Sequence, residues 1–250
     1  MGKVVVLGSA YVLPDENHAN THLALVGQHG VVMVDASATP VLRLRGAGLD
    51  FNQVHDLILT HFHPDHVYGV PMLIMEMWLR GRKAPLCIHG LRHCVERIEK
   101  LMIAYEWEQW PGLYPVSFYA VDDNPEMLVL ENEDFRITAT PVKHFVPTAG
   151  LRVVDKVTGH VLAYSCDTEP CPADLQLAAN ADLLLHEAAG KGPGHTSAAQ
   201  AGEIAMEARA KRLVLIHYPG EKDTSHLVPE AAATFGGPVT LAEDFMVLEF

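Results

Sequence analysis

Thr60-His61-Phe62-His63-Pro64-Asp65-His66 is the stretch on which the reading of this chain turns. It follows Asp56 to Thr60, an apolar run with the character of a buried strand, and precedes an amphipathic stretch that reads as a helix. Chance explains it poorly, since the chain's own composition gives an H-x-H-x-D-H hexapeptide a probability of roughly three in a thousand. A loop leaving a strand end can turn His61 and His63 toward one point and Asp65 and His66 toward a neighbouring point. The result is two adjacent half-built sites of imidazole and carboxylate ligands.

Four ligands from one loop cannot close two metal shells, so further ligands are required at other strand ends. His144 follows the strand Phe135 to Thr140, Asp167 follows the strand ending at Ser165, and His217 ends the strand Leu213 to Ile216. Each sits where a strand gives way to a loop, the usual place for function on an α/β scaffold.

Around these residues the chain alternates short apolar runs with helical stretches. Strands are expected at Val4 to Gly8, Thr21 to Gly27, Gly30 to Asp35, Asp56 to Thr60, Leu86 to His89, Phe135 to Thr140, Leu151 to Asp155, His160 to Ser165, Asp182 to His186, Leu213 to His217 and Phe245 to Phe250. Helices are expected at Pro64 to Leu79, Leu91 to Tyr105, Pro172 to Ala179 and Ala198 to Ala210. Hairpins at Gly27 to Gly30 and at Thr158-Gly159 favour sheets packed on each other with helices outside over a purely parallel sheet. The aromatic segment Tyr105 to Tyr119 reads either as a proline-bent loop covering the core or as a wall over a substrate pocket. Ser197-Ala198-Ala199-Gln200 reads as a capping box, so a helix starts just after His195 with its amides and positive dipole end toward the metals.

Composition narrows the function classes. With 250 residues and 49% apolar content the chain can bury a large core, and a single domain spanning 1–250 is expected. The longest apolar stretch, Val67 to Leu79, is interrupted by Pro71 and Glu76 and is too short to span a bilayer. No leader is read at the start, and Cys87, Cys94, Cys166 and Cys171 form no C-x-x-C pair, so a soluble cytoplasmic protein with reduced thiols is expected. A formal charge of -13 with 18 basic residues argues against a protein that grips nucleic acid by neutralising phosphates.

The THxHxDH loop, later His, later Asp and final His, in this order, resemble the metallo-β-lactamase superfamily from Val4 to about His217. The resemblance implies an α/β (α+β) fold, a four-layer αββα sandwich with metals at one edge. It implies that His61, His63 and His144 hold one metal, that Asp65, His66 and His217 hold the other, and that Asp167 bridges them. Asp35, ending an early strand, looks like the superfamily's supporting acid. Leu184-Leu185-His186-Glu187-Ala188-Ala189 and Gly194-His195-Thr196-Ser197-Ala198 resemble the HEAT and HST elements of its ribonuclease Z-like branch. By that analogy His195 protonates the leaving oxygen and Glu187 orients it, while Asp65 positions the attacking water.

Two divalent ions would activate water and clamp both oxygens of the reacting group. Zinc is the first expectation for this His-rich set, with manganese or iron fitting the same ligands. Only 22 residues separate His144 from Asp167, room for a hairpin but not for the long tRNA-gripping arm of many ribonuclease Z enzymes. The early Val34-Asp35-Ala36-Ser37-Ala38-Thr39 also lacks their Gly-Glu-Gly-Thr run. The expected substrate is therefore a small, anionic phosphodiester rather than folded tRNA. A lactonase, carboxylic ester or aryl sulfate hydrolase stays open on the same metals, as does a non-catalytic metal-stabilised module. A homodimer is expected from the resemblance alone.

Overall fold

The computed structural model describes residues 1–250. Seven strands form one sheet in the order β14-β1-β2-β3-β4-β5-β6: β1 (Lys3–Gly8), β2 (His22–Val26), β3 (Val31–Val34), β4 (Val54–Leu59), β5 (Leu86–Leu91), β6 (Val116–Val121) and β14 (Val247–Glu249). Seven more form the second, β13-β12-β11-β10-β9-β8-β7: β7 (Met127–Glu131), β8 (Phe135–Val142), β9 (Thr148–Asp155), β10 (Val161–Tyr164), β11 (Leu183–Glu187), β12 (Leu213–Ile216) and β13 (Val239–Leu241). Both sheets follow one plan. From β14 to β3 and from β7 to β10 all pairings are antiparallel, and the remaining pairings of each sheet are parallel.

Because strand side chains alternate between faces, each central strand feeds two cores at once. Val4, Val6, Leu23, Leu25 and Val34 point between the sheets, where they meet Ile137, Leu151, Val153, Leu162 and Leu185. Val5, Leu7, Ala24, Met33 and Leu57 point outward under α1 (Pro40–Gly46), α3 (Val70–Leu79) and α4 (Arg92–Ala104). On the far side Ala163, Leu184, Leu213 and Leu215 meet α5 (Pro172–Ala178), α6 (Ala198–Glu207) and α7 (Leu227–Phe235). The result is the expected αββα sandwich, and burial on both faces is why its central strands read as continuous apolar runs.

Several elements differ from the sequence expectation. The helix expected over Pro64 to Leu79 is broken into α2 (Pro64–Val67) and α3. The break has a clear cause: the Gly69 amide donates to Ala36 O (2.8 Å), the Ala36 amide donates to His66 O (2.9 Å), and Pro71 has no N–H to offer. A Cβ at Gly69 would lie 2.6 Å from Ala36 O, so glycine permits this approach. Helices α1 and α7 and strands β6, β7 and β13 have no counterpart in the sequence expectation. The segment Tyr105 to Tyr119 resolves into packing rather than a pocket wall: Trp110 stacks on Trp78 (5.2 Å), Tyr114 is buried beneath Ile74 and Met77, and Val116 to Tyr119 belong to β6.

Candidate metal centre

The loops after β4, β8, β10 and β12 meet at one edge of the sandwich, bringing His61, His63, Asp65, His66, His144, Asp167 and His217 together. His63 Nδ1 lies 3.1 Å from His61 Nε2 and 3.2 Å from His144 Nε2. Asp167 Oδ2 stands 3.9 Å from His61 Nε2, 3.8 Å from His144 Nε2 and 3.2 Å from His217 Nε2. His66 Nε2 is 3.5 Å from Asp167 Oδ1 and 3.6 Å from Asp65 Oδ2. Two clusters emerge, His61/His63/His144 and Asp65/His66/His217, with Asp167 between them.

Where the imidazole protons sit decides what these clusters can bind. His144 Nδ1 faces Gly194 O at 2.7 Å, and a carbonyl can only accept, so the proton is on Nδ1. His66 Nδ1 donates to the carboxylate of Asp35 at 2.7 Å. Thr21 Oγ1 donates to Ala10 O (2.9 Å) and is left to accept from His217 Nδ1 (3.2 Å). Likewise Thr60 Oγ1 donates to Asp35 (2.8 Å) and accepts from His61 Nδ1 (3.1 Å). All four Nε2 atoms therefore present bare lone pairs to one another and to a carboxylate. His66 Nε2 and Asp167 Oδ1 are buried and have no hydrogen-bond partner. Lone pairs facing lone pairs in a buried site are the arrangement that divalent cations satisfy, and the donor set of imidazole nitrogens and carboxylate oxygens suits zinc-type ions.

Backbone geometry holds the cluster. Asp35, Cys166 and His217, each just beyond a strand end, have φ of 59, 55 and 55°, in the left-handed region that non-glycine residues rarely adopt. Strain of about 1–3 kcal/mol per residue is tolerated only where surrounding contacts fix the conformation. Asp35 is fully buried and takes the Thr60 amide (2.9 Å) as well as its hydroxyl and His66, so it orients two candidate ligand residues. Burial works against the charge on Asp167, and when the metal-free rings of His217 and His66 take up a second proton on Nε2 they hold its carboxyl well below the usual range, the place a cation takes when bound. Cys166 is buried with Sγ 3.6 Å from His61 Nδ1, and burial pushes its thiol far up.

At the mouth of the centre His195 Nδ1 lies 3.0 Å from Glu187 Oε1. Glu187 is fully buried and accepts the Thr168 amide (2.8 Å) and the Ala189 amide (3.1 Å). Burial disfavours the His195 cation, yet the Glu187 hydrogen bond and charge outweigh it and raise the imidazole pKa. A ligand atom of His195 lies within 4.8 Å of Asp167 and His217, so the ring reaches the same space. The capping box of α6 is formed, with Ser197 Oγ accepting from the Gln200 amide and Gln200 Oε1 from the Ser197 amide. Two amides at that helix start are thus engaged within the cap rather than free for an anion.

Thr21 read only as the start of a strand and Gly194 only as the first residue of the HST-like stretch, so neither was marked as a partner of a candidate ligand. Thr21 lies 196 positions from His217 and meets it only because of the fold.

The match to the beta-lactamase superfamily domain spans residues 9–218. The ribonuclease Z of Methanothermobacter thermautotrophicus is 26% identical, with 100% of this chain and 97% of that protein covered. Among solved structures, the metallo-beta-lactamase fold protein YhfI from Bacillus subtilis superposes with a TM-score of 0.85 at 26% identity, covering 100% and 99% of the two chains. The short form of human tRNase Z superposes with a TM-score of 0.79 at 23% identity, covering 99% and 98%. Over this extent of sequence and fold, the chain belongs to the metallo-β-lactamase superfamily, where it is a metal-dependent hydrolase resembling the ribonuclease Z-like branch.

Proposed function

We propose that this chain is a dinuclear phosphodiesterase for small phosphodiesters, with zinc as its metal. His61, His63 and His144 would hold one ion, Asp65, His66 and His217 the other, and Asp167 both. The observation that carries this reading is the set of four Nε2 lone pairs converging on Asp167 beside the His195–Glu187 pair. When bound, such a pair of ions supplies Lewis acidity and a water ionised near neutral pH. Asp65, nearly buried beside His66, takes up the attacking water's proton. His195 delivers a proton to the leaving oxygen, and Glu187 keeps that imidazole charged and pointed. A single domain in a reducing cytoplasm fits the shared core between the sheets and four free cysteines.

A small substrate is supported by what lies between His144 and Asp167. That interval is taken up by β9, its turn and β10, with no projecting arm. The second reading, tRNA 3′ processing, is favoured by the name of the archaeal relative. Yet the aligned span is 309 positions for a chain of 250, so that relative carries segments this chain lacks. Purified, zinc-loaded protein assayed on bis-p-nitrophenyl phosphate, a lactone, an aryl sulfate and a precursor tRNA tests the choice. The expected result is turnover of the diester at the highest kcat/KM, abolished by Asp167→Ala and lowered about 10²–10⁴-fold by His195→Ala. A preference for the tRNA or the lactone would replace the reading.

A further inference from the structure

Beside the candidate centre, and sharing His144 with it, lies a groove of about 690 Å³ to which no role has been given. Its walls come from the end of β8 (Pro141), the β8–β9 turn (Val146, Pro147) and the start of α5 (Pro172, Ala173), with Phe145 beside His144. Phe145 is 64% exposed, so a face of its ring is open to a ligand. Its ring centroid lies 5.1 Å from that of His144 and 6.1 Å from that of His195. From below it is propped by Gly194, where a Cβ would come within 2.6 Å of the ring and where φ is +75°.

We propose that this groove is the leaving-group subsite and that Phe145 stacks an uncharged aromatic ring, such as a nucleobase, carried by the departing alcohol. The proposal rests on the phosphodiesterase reading above. Three observations support it. The oxygen protonated by His195 must sit within hydrogen-bond reach of that imidazole, and the group attached to it must then leave past Phe145, the side chain packed edge-on to His195. Beside Lys143, His144 and Cys171, the groove is lined by prolines, valines and alanine, an apolar strip on which the flat face of a ring can lie. Finally, the groove's one lysine, Lys143, is bound to Glu169 Oε2 at 2.8 Å. A chain of further phosphates would find no free cation there, which disfavours a long polynucleotide as the leaving group.

The test compares two phosphodiesters with the same leaving sugar alcohol, one a dinucleoside monophosphate, the other with the leaving nucleoside's base replaced by hydrogen. Their intrinsic reactivities match, so any difference reports the ring. The zinc-loaded protein should favour the base-bearing diester by about tenfold to a hundredfold in kcat/KM. Phe145→Ala should reduce that preference to about twofold, read as the ratio of the two diesters' kcat/KM in the same variant, and Phe145→Trp should keep it. Equal rates on both diesters, or a Phe145→Ala loss shared equally by both, would overturn the subsite. Calorimetric binding of the same pair as slowly hydrolysed phosphorothioates separates the two readings. Affinity that depends on the base and on Phe145, without turnover of the parent diesters, would retain the subsite and remove the phosphodiesterase. Turnover with no dependence on the base in rate or affinity would do the reverse.

Discussion

Asp35 lies one step behind the candidate ligands, yet it fixes the ring of His66 and, through Thr60, that of His61. Replacing it with alanine frees two imidazoles to rotate, and metal affinity should fall about 10–100-fold, measured by competition with a chromophoric chelator. Unchanged affinity would mean that the orienting contacts are incidental. His22 makes a separate prediction at this scale. It is fully buried, its Nδ1 donates to Asn20 O (2.8 Å), and its Nε2 has no partner, so burial pushes its pKa down to about 4. The unfolded chain binds this proton near pH 6.5 and the folded chain only near pH 4, so stability from His22 is complete above pH 6.5. It is lost as pH falls through that window, by about 3 kcal/mol. Urea unfolding at pH 7 and pH 4.5 should show a smaller acid loss in His22→Leu than in the parent, even if the variant is weaker at both. The imidazoles and carboxylates were readable from sequence because such side chains rarely cluster without a chemical reason. The role of Thr21 was not, because any side chain offering an acceptor at that point in space would serve, and that of Gly194 was not, because it acts through its backbone carbonyl.

At the scale of elements, α6 and α7 approach so closely at Gly202 that a Cβ there would lie 2.1 Å from Thr234 Oγ1 and 2.4 Å from Ala231 O. Glycine to alanine inside a helix ordinarily gains about 1 kcal/mol of propensity. Here the overlap should win, and Gly202→Ala should destabilise by about 1–3 kcal/mol in denaturant unfolding, a sign opposite to propensity. Stabilisation instead would show that the two helices can part without cost. This helix pair was half legible: α6 announces itself by its capping box, whereas α7 hides behind Pro229, which is harmless in a first turn but reads as a breaker in a sequence. Strands β6 and β7 lie at sheet edges with largely exposed or intermediate positions, so they lack the apolar runs that revealed the central strands. The break between α2 and α3 depends on hydrogen bonds to Ala36, a contact across the fold that local periodicity does not encode.

For the molecule as a whole, the candidate ligand set divides between the two sheets. The first sheet contributes His61, His63, Asp65 and His66 from the loop after β4, and the second contributes His144, Asp167 and His217 from the ends of β8, β10 and β12. Ions bound there would tie together sheets otherwise joined by the apolar core between them, so metal binding and folding should be linked. With free metal about 1,000-fold above Kd the linkage is worth about 4 kcal/mol. In a chain of this length that corresponds to a fall in Tm of about 8–16 °C on full chelation. Calorimetry with and without chelator measures it, and Asp167→Ala supplies the control. Because Asp167 stands between the clusters, its removal should leave a protein with a low Tm that chelator shifts by only a few degrees. If chelation leaves Tm unmoved in the parent although elemental analysis shows the metal gone, the sheets are held by their shared core alone. The strained strand ends at Asp35, Cys166 and His217 would then owe their geometry to backbone contacts such as His217 N to Ser9 O and Asp35 N to Ile58 O, and not to the ions.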